Sequence, residues 1–426
     1  MLVQVSTYLS RLDLQSLVAT SKSMFRLLLP EYLHRCGLVL KNTSTGGLRV
    51  ELHDLSGYTS LGLWSTVYLF HPPEEMYCSI PCDTQEARRA IGFLSRFLLE
   101  PSNTCALQDF HLSFRGTNPL LLTFDFVKMQ RLFYSLPLTR LSFSGYALAC
   151  YLPPSISLRG GPSCGSHTLT SFIISSDYGF APGLMQTTAG ILRHSRIKDL
   201  TIYMVSLNLS QWSSLLNGLN MVFLEDVELE GDIPWPALIR FLSRHKGLKN
   251  IRIRCGSLSK HTRPSRSRRQ PFLPNILSLH APIAVCHDIA ERLSDSSKLY
   301  ELKVETSQLS PFDPLFCRLL EILRHFQKLD HLGLQFVPSL PSTILSQSCP
   351  GDHDWDEYPA RDLGQIRTLS FFQSQSQLST GDSVCPLVFL LAFSTLTCVT
   401  GYDLCLCTII SLGRNGLCGR RRGRGG

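Results

Sequence analysis

Charge is scarce in this chain. Asp, Glu, Lys and Arg make up 17% of its 426 residues, against roughly a quarter in an ordinary soluble protein. Much of the net +8 gathers in Arg263–Arg269 (RPSRSRR) and Arg420–Arg424 (RRRGR). Clusters in loops and tails do not make the basic stripe on one folded face that nucleic acid requires, so no nucleic acid is expected as a partner. Dense cysteine spacing is lacking too. The 15 cysteines are scattered along the whole length, unlike the framework of a small secreted domain. Cys405-Leu-Cys407 has no second pair to complete a zinc site, and no His-Glu-x-x-His occurs. No metal and no cofactor is therefore expected. A basic region ahead of an apolar core, the layout of a secretory signal, is absent at the start. The expectation is a cytoplasmic or nuclear chain with reduced thiols, in which the sequons at Asn42 and Asn208 stay unmodified.

Catalytic signals are also missing. Gly161-Pro-Ser-Cys-Gly165 has the letters of a hydrolase elbow. That motif needs a strand before it and a helix after it, so that a strained turn can project the serine. Here Leu158-Arg-Gly-Gly precedes it and the strand-like Leu169–Ile174 follows. Gly160, Gly161 and Gly165 lack the spacing of a phosphate-binding loop. No catalytic residue is assigned, and the chain is not expected to be an enzyme.

What is present begins at once. Leu2, Val5 and Leu9 share one helical face. Ser10 or Asp13 can cap a second helix, lined by Leu14, Leu17 and Val18. Thr20 and Ser21 can cap a third, with Met24, Phe25 and Leu27–Leu29 apolar and Pro30 ending or bending it. Helices this short cannot bury their faces alone. The order Tyr8-Leu9, Asp13-Leu14, Leu17, Ser21-Lys22 resembles an F-box over about residues 2–36. The family's opening Leu-Pro pair and acidic residue have no counterpart here, because Met1 already lies within the first helix. The resemblance implies docking on the Skp-type adaptor of a cullin complex, a ubiquitin ligase. By position, Leu2, Val5, Leu9, Leu14, Leu17 and Phe25 would face that adaptor.

The body carries one recurring hexapeptide: apolar, two others, apolar, one other, apolar. It starts at Leu107, Leu138, Leu169, Ile197, Leu224, Leu248, Leu299, Leu329 and Ile366, with a weaker copy, Pro274-Asn-Ile-Leu-Ser-Leu, in the widest gap. The last four residues of each alternate, as a strand with one buried face does. Helical patterns lie between, as in Phe126–Leu136, Met185–His194, Trp235–Arg244 and Leu315–Phe326. Strand, turn and helix at intervals of 24 to 37 residues approach the leucine-rich-repeat range. The expected fold class is α/β: an irregular leucine-rich-repeat solenoid of short parallel strands and helices after a three-helix F-box-like segment. Each unit would bury its faces only against its neighbours.

Residues 60–375 resemble the degenerate leucine-rich repeats that follow F-boxes in many fungal proteins, without a regular asparagine in the turn after the strand. Together the two resemblances imply a non-catalytic substrate-recognition subunit whose repeat surface binds an unknown protein substrate. The alternative is a leucine-rich-repeat scaffold with no ligase role, in one version tail-anchored to a membrane. Arg140, Lys198, Glu225, Glu228, Lys249, Arg252, Glu301 and Lys303 are expected as outward-facing strand positions that contact the target. Their mixed signs suit protein rather than polyanion.

The domains read as 1–36 F-box-like, 37–375 solenoid and 376–426 tail. His261–Pro271 is a basic loop, and Cys349–Pro359 an acidic one with neither EF-hand nor zinc spacing. In the tail, Leu387–Val399 is almost wholly apolar. A bilayer span needs about 20 such residues, and Asp403 near a helix centre would cost about 2.5–3.5 kcal/mol. A membrane is not expected as a partner.

Overall fold

The computed structural model of the chain describes residues 8–67, 72–116, 132–146, 168–254, 272–294, 297–306, 314–336, 365–373 and 398–402. It is a mixed α/β structure with mostly parallel strand pairs. It divides into two compact units, Met1–Leu224 with Glu228–Phe241, and Glu225–Val227 with Leu242–Gly426.

The first unit opens on α1 (Arg11–Thr20) and α2 (Lys22–Arg35). Both start on a serine. Ser10 Oγ accepts from the Asp13 N–H at 3.2 Å, and Ser21 Oγ from the Met24 N–H at 3.2 Å. Each satisfies a donor that has no partner inside the helix. Pro30 does not end α2, which continues to Arg35. The turn after the proline buries Tyr32, Leu33 and Cys36, and that burial offsets a cost of about 3 kcal/mol for an interior proline. Arg35 pairs with Glu31 at 2.9 Å and also donates to the Leu9 carbonyl, tying the end of α2 to the start of α1.

An antiparallel hairpin follows, β1 (Leu38–Asn42) with β2 (Leu48–Leu52), which the sequence pattern did not signal. Then come α3 (Leu55–Val67), β3 (Glu75–Ile80), α4 (Thr84–Leu99), α5 (Pro101–Thr104), β4 (Asp109–Arg115), β5 (Arg140–Tyr146), β6 (Ser171–Ser175), α6 (Pro182–His194), β7 (Asp199–Ile202) and α7 (Leu209–Gly218). From β2 to β7 each strand pairs in parallel with the next in sequence. β8 (Asp226–Glu230) and α8 (Trp235–Arg244) are shared between the two units. The second unit continues with β9 (Asn250–Arg254), β10 (Ser278–Pro282), α9 (Ile283–Ala290), β11 (Glu301–Thr306), α10 (Pro314–Leu323), β12 (His331–Phe336), β13 (Thr368–Gln373) and β14 (Cys398–Tyr402). Here too, neighbours in sequence pair in parallel.

The hexapeptide fixes the core. Its first, fourth and sixth positions are buried in every strong copy whose residues are described: Leu138, Leu141 and Phe143, for example, or Leu299, Leu302 and Val304, are all 0% exposed. In the first unit these positions meet as rings. Phe143 lies 6.0 Å from Phe133 and edge-on to Phe172 at 5.5 Å, while Phe110 packs on Phe133 at 5.6 Å. In the second unit the described strand interiors are aliphatic; α9 packs on β10 and β11, and its Val285 and Ile289 are fully buried, as are Leu319, Leu320 and Leu323 of α10.

The main chain repeats with them. The carbonyl at the second position accepts two N–H groups from the next copy. The Gln108 carbonyl takes Thr139 and Arg140 at 2.8 and 3.0 Å, and that of Thr139 takes Thr170 and Ser171 at 2.9 and 3.0 Å. The Leu277 carbonyl takes Tyr300 and Glu301, and the Tyr300 carbonyl takes Asp330 and His331. A carbonyl has two lone pairs, so one oxygen can serve both donors.

This ladder corrects the reading of the weak copy. Ser278 stands opposite Asn250 and Glu301. The copy therefore starts at Ile276, two residues past Pro274, and runs Ile276-Leu-Ser-Leu-His-Ala. The pattern also reaches further in both directions. Pro73-Glu-Glu-Met-Tyr-Cys holds the same frame, with the Glu74 carbonyl accepting from Gln108 and Asp109. Within the expected tail, β14 pairs with β13 in the same register, Thr368 standing opposite Cys398. Other parts of that tail, and residues 126–131 of the expected helix Phe126–Leu136, lie outside the described residues. No helix among the described residues is long and apolar enough to cross a membrane.

Phe143→Ala removes a ring held between two others and should cost about 3–5 kcal/mol. Chemical denaturation should register this as a lowered midpoint of the transition that contains the first unit, whereas Lys41→Ala, at an exposed ion pair with Glu51, should cost about 0–1 kcal/mol. Equal effects would contradict the ring core.

Candidate interaction surfaces

Two surfaces carry the residues singled out by the sequence. The first is the α1–α2 hairpin. Its inward side buries Leu14, Val18, Leu28, Leu29 and Leu33, so Leu14 is core and presents no surface. Leu9 and Leu17 are half-buried. Tyr8, Leu12 and Leu27 are the large apolar side chains left exposed there, at 90%, 74% and 47%. None of the three is among the positions expected to face the adaptor, because spacing identifies an apolar face but not which side of a helix the rest of the chain covers. Leu2, Val5 and the Phe25 side chain lie outside what is described. Arg11 Nη1 donates to Ser56 Oγ at 2.8 Å, joining α1 to α3.

The second surface is the outward face of the strands, formed by the third, fifth and seventh positions. Arg140 on β5 is exposed there, opposite Asp109 of β4. Glu228 lies on β8, and Arg252, Glu301 and Lys303 on β9 and β11. The other three do not share this face. Lys198, Glu225 and Lys249 sit one residue before β7, β8 and β9, at the second position. Their main chain belongs to the ladder just described, and Lys249 Nζ pairs with Glu225 at 2.5 Å along that rim.

In the first unit the face is a connected polar strip. Arg49 pairs with Glu75 at 2.6 Å and lies 4.7 Å over the Tyr77 ring. Tyr77 meets the His111 ring at 5.3 Å, and His111 Nε2 hydrogen-bonds Ser144 Oγ at 2.8 Å. Among the described residues no carboxylate hydrogen-bonds the other ring nitrogen of His111, so the pair has no third member to orient a base for serine attack. Burial, with Arg140 in support, holds His111 below the ordinary imidazole range. Burial pushes the Asp109 carboxyl up, opposed by Arg140.

In the second unit the same face mixes signs. Lys303 pairs with Glu301 at 2.9 Å, and Ser278 Oγ donates to Glu301 at 2.8 Å. Burial acts to raise the Glu301 carboxyl, but those two hydrogen bonds outweigh it and hold it low. His331, opposite Glu301, is held low by burial.

One metal-like group exists among the described residues. His287, Asp288 and Glu291 bring ligand atoms within 4.8 Å of one another at the end of α9. All three come from one helical turn, and His287 Nδ1 already lies 3.3 Å from Asp288. The loops His261–Pro271 and Cys349–Pro359 and the Gly161–Gly165 stretch lie outside the described residues. No family model matches the chain, and no curated protein matches it.

His111 and His331 have the same linkage sign. Each binds its proton more weakly when folded than unfolded, so the unfolded state gains protons first as the pH falls. Stability should therefore drop as pH passes down through about 6.5, the free-imidazole value, and level off below the folded-state values. In nuclear magnetic resonance titrations, Arg140→Gln should raise the His111 midpoint. A wild-type midpoint at or above the free value would refute the burial argument.

Proposed function

We propose that the chain is the non-catalytic substrate-recognition subunit of a Skp–cullin–F-box ubiquitin ligase. In this reading α1 and α2 belong to an F-box-like segment, and the following strands and helices form an irregular leucine-rich-repeat solenoid whose outward strand face binds a protein target. The observation that carries the reading is the hairpin. Two serine-capped helices leave Tyr8, Leu12 and Leu27 bare, although each has a large apolar side chain. Tyrosine is enriched among the residues that carry interface energy, and large apolar side chains left in water gain free energy when a partner covers them. The recurring parallel strands support the second half, because stacking of repeated units makes an extended surface of side chains at alternate positions.

The adaptor contact is then made by Tyr8, Leu12 and Leu27, with Leu9 and Leu17 at its edge, and Leu14 holds the hairpin to the chain. The test is capture of a purified Skp adaptor. Leu12→Asp and Leu27→Asp should each weaken it by about tenfold or more, with melting curves unchanged. Retention of the adaptor by a chain lacking residues 1–40, or no retention by the intact chain, would sink the ligase reading and favour a scaffold without a ligase role.

A further inference from the structure

Five described copies of the repeat enter their strand through the same turn. The N–H of the first hexapeptide residue donates to the carbonyl three residues back, at 3.1–3.3 Å. The pairs are Leu107 with Thr104, Leu224 with Met221, Leu248 with His245, Ile276 with Leu273 and Leu329 with Phe326. Both end residues of every one of these turns are buried. The fold thus fixes the ends and leaves the two residues between them to the surface. Four of the tips are small, polar or turn-forming, as a surface turn favours: Cys105-Ala106, Lys246-Gly247, Pro274-Asn275 and Gln327-Lys328. The fifth is Val222-Phe223, whose side chains are 80% and 49% exposed. Nothing in the turn calls for side chains of that size, and their contact with water is unfavourable. Buried Met221 and Leu224 hold the tip out from the body.

The surroundings of this tip are basic. The Arg196 guanidinium lies 5.5 Å from the centre of the Phe223 ring, within range of a cation–π contact. Arg193, at the end of α6, is exposed, as are Arg196 and Lys198. Neither Arg196 nor Lys198 has a carboxylate partner among the described residues. From Pro182 to Leu224 the chain holds a single acid, Asp199. It is the third residue of its copy and lies half-buried at the start of β7, on the strand face. The next acid in sequence, Glu225, is taken by Lys249 at 2.5 Å.

We propose that the Val222–Phe223 tip docks the chain on an anionic lipid surface. The two side chains enter the boundary between headgroups and acyl chains, and Arg196 and Lys198, with Arg193, meet the headgroup charge. The shape of the feature favours lipid over protein. A protruding tip needs a protein partner to offer a matching pocket, whereas a bilayer yields wherever it is touched. Its diffuse negative charge also suits cations that have no partner of their own. This is a contact from one side and needs no spanning segment. It stands apart from the adaptor and target readings.

The test is co-sedimentation of the full chain with vesicles of phosphatidylcholine, alone or mixed with phosphatidylserine. Binding to the mixed vesicles and not to phosphatidylcholine alone is expected, and salt should weaken it. Val222→Asp and Phe223→Asp should each lower the partition coefficient about tenfold or more. Arg196→Gln should lower it about fivefold, and Phe223→Leu should keep it. Arg89→Gln, the same loss of charge at an exposed site on α4, should leave it unchanged. Phe223→Leu keeps the test decisive if an Asp variant folds poorly. Fluorescence added by Phe223→Trp should be quenched by brominated acyl chains, which reports insertion directly. The proposal is overturned by no binding to the mixed vesicles, by equal binding to phosphatidylcholine alone, or by indifference to both Asp variants. Self-association abolished by Phe223→Asp, without vesicle binding, would assign the tip to a second copy and also overturn it. No adaptor is present, so a chain that captures the adaptor and ignores the vesicles overturns only the lipid proposal.

Discussion

Strands in both units begin on a carbonyl that accepts two N–H groups from the following copy, and the rest of the architecture depends on that shared acceptor. As the chain turns into a strand it presents two consecutive donors before regular pairing takes over. Left unpaired beside a buried leucine, each would cost about 1–3 kcal/mol. The Gln108, Thr139, Thr170, Lys249, Leu277, Tyr300 and Asp330 carbonyls each serve both donors. The arrangement uses main chain alone, so it places no demand on side-chain identity at that position. Glutamine, threonine, lysine, leucine, tyrosine and aspartate all fill it.

That indifference explains why the repeats look degenerate. Three positions of the hexapeptide are held by burial, and the ladder holds the frame. What remains is free to vary within the limits of solubility. The copy spacing varies as well, because a longer or shorter connection between copies leaves the strand-to-strand contact untouched. A regular asparagine, which would satisfy the backbone from a side chain, is not needed for the described strands to stay in register. Ring packing in the first unit and aliphatic packing in the second are two solutions to one constraint, since both fill the space behind parallel strands at close to crystalline density.

This constraint also marks what the sequence could and could not disclose. Burial recurs with a period, so Leu138, Leu141 and Phe143, or Leu329, Leu332 and Leu334, were legible as strand interiors before any coordinates. The helices at 235–244 and 315–323 were legible for the same reason. The copy at Pro73 was not, because proline replaces the expected leucine at the first position and methionine and cysteine fill the others. The β1–β2 hairpin gave no signal, since Leu38–Asn42 alternates too briefly to be told from a loop. On the surfaces, parity was the limit. Arg140, Arg252 and Lys303 fall on the strand face, but Lys198, Glu225 and Lys249 are one residue too early and turn into the rim. A charge beside a leucine is visible in a sequence, and the point where the chain straightens is not.

Under the proposed function, the same separation of roles would let one chain hold an adaptor and a target. In and beside α1 and α2 three large apolar side chains, Tyr8, Leu12 and Leu27, are exposed among polar ones, which suits a contact with a desolvated centre and a polar rim. On the strand face they are charged and mutually paired, which suits a contact chosen for its sign pattern and not for its area. Substitution at an outward strand position leaves the ladder and the core intact, so under that reading target choice would change without loss of fold. Substitution at Leu12 or Leu27 likewise removes no core contact. Leu14 differs from both, because its side chain is wholly inside and any exchange there alters the hairpin that presents the others. The residues that could define the partners are therefore those the fold does not require, which is also why periodicity, a record of what the fold requires, identifies them least well.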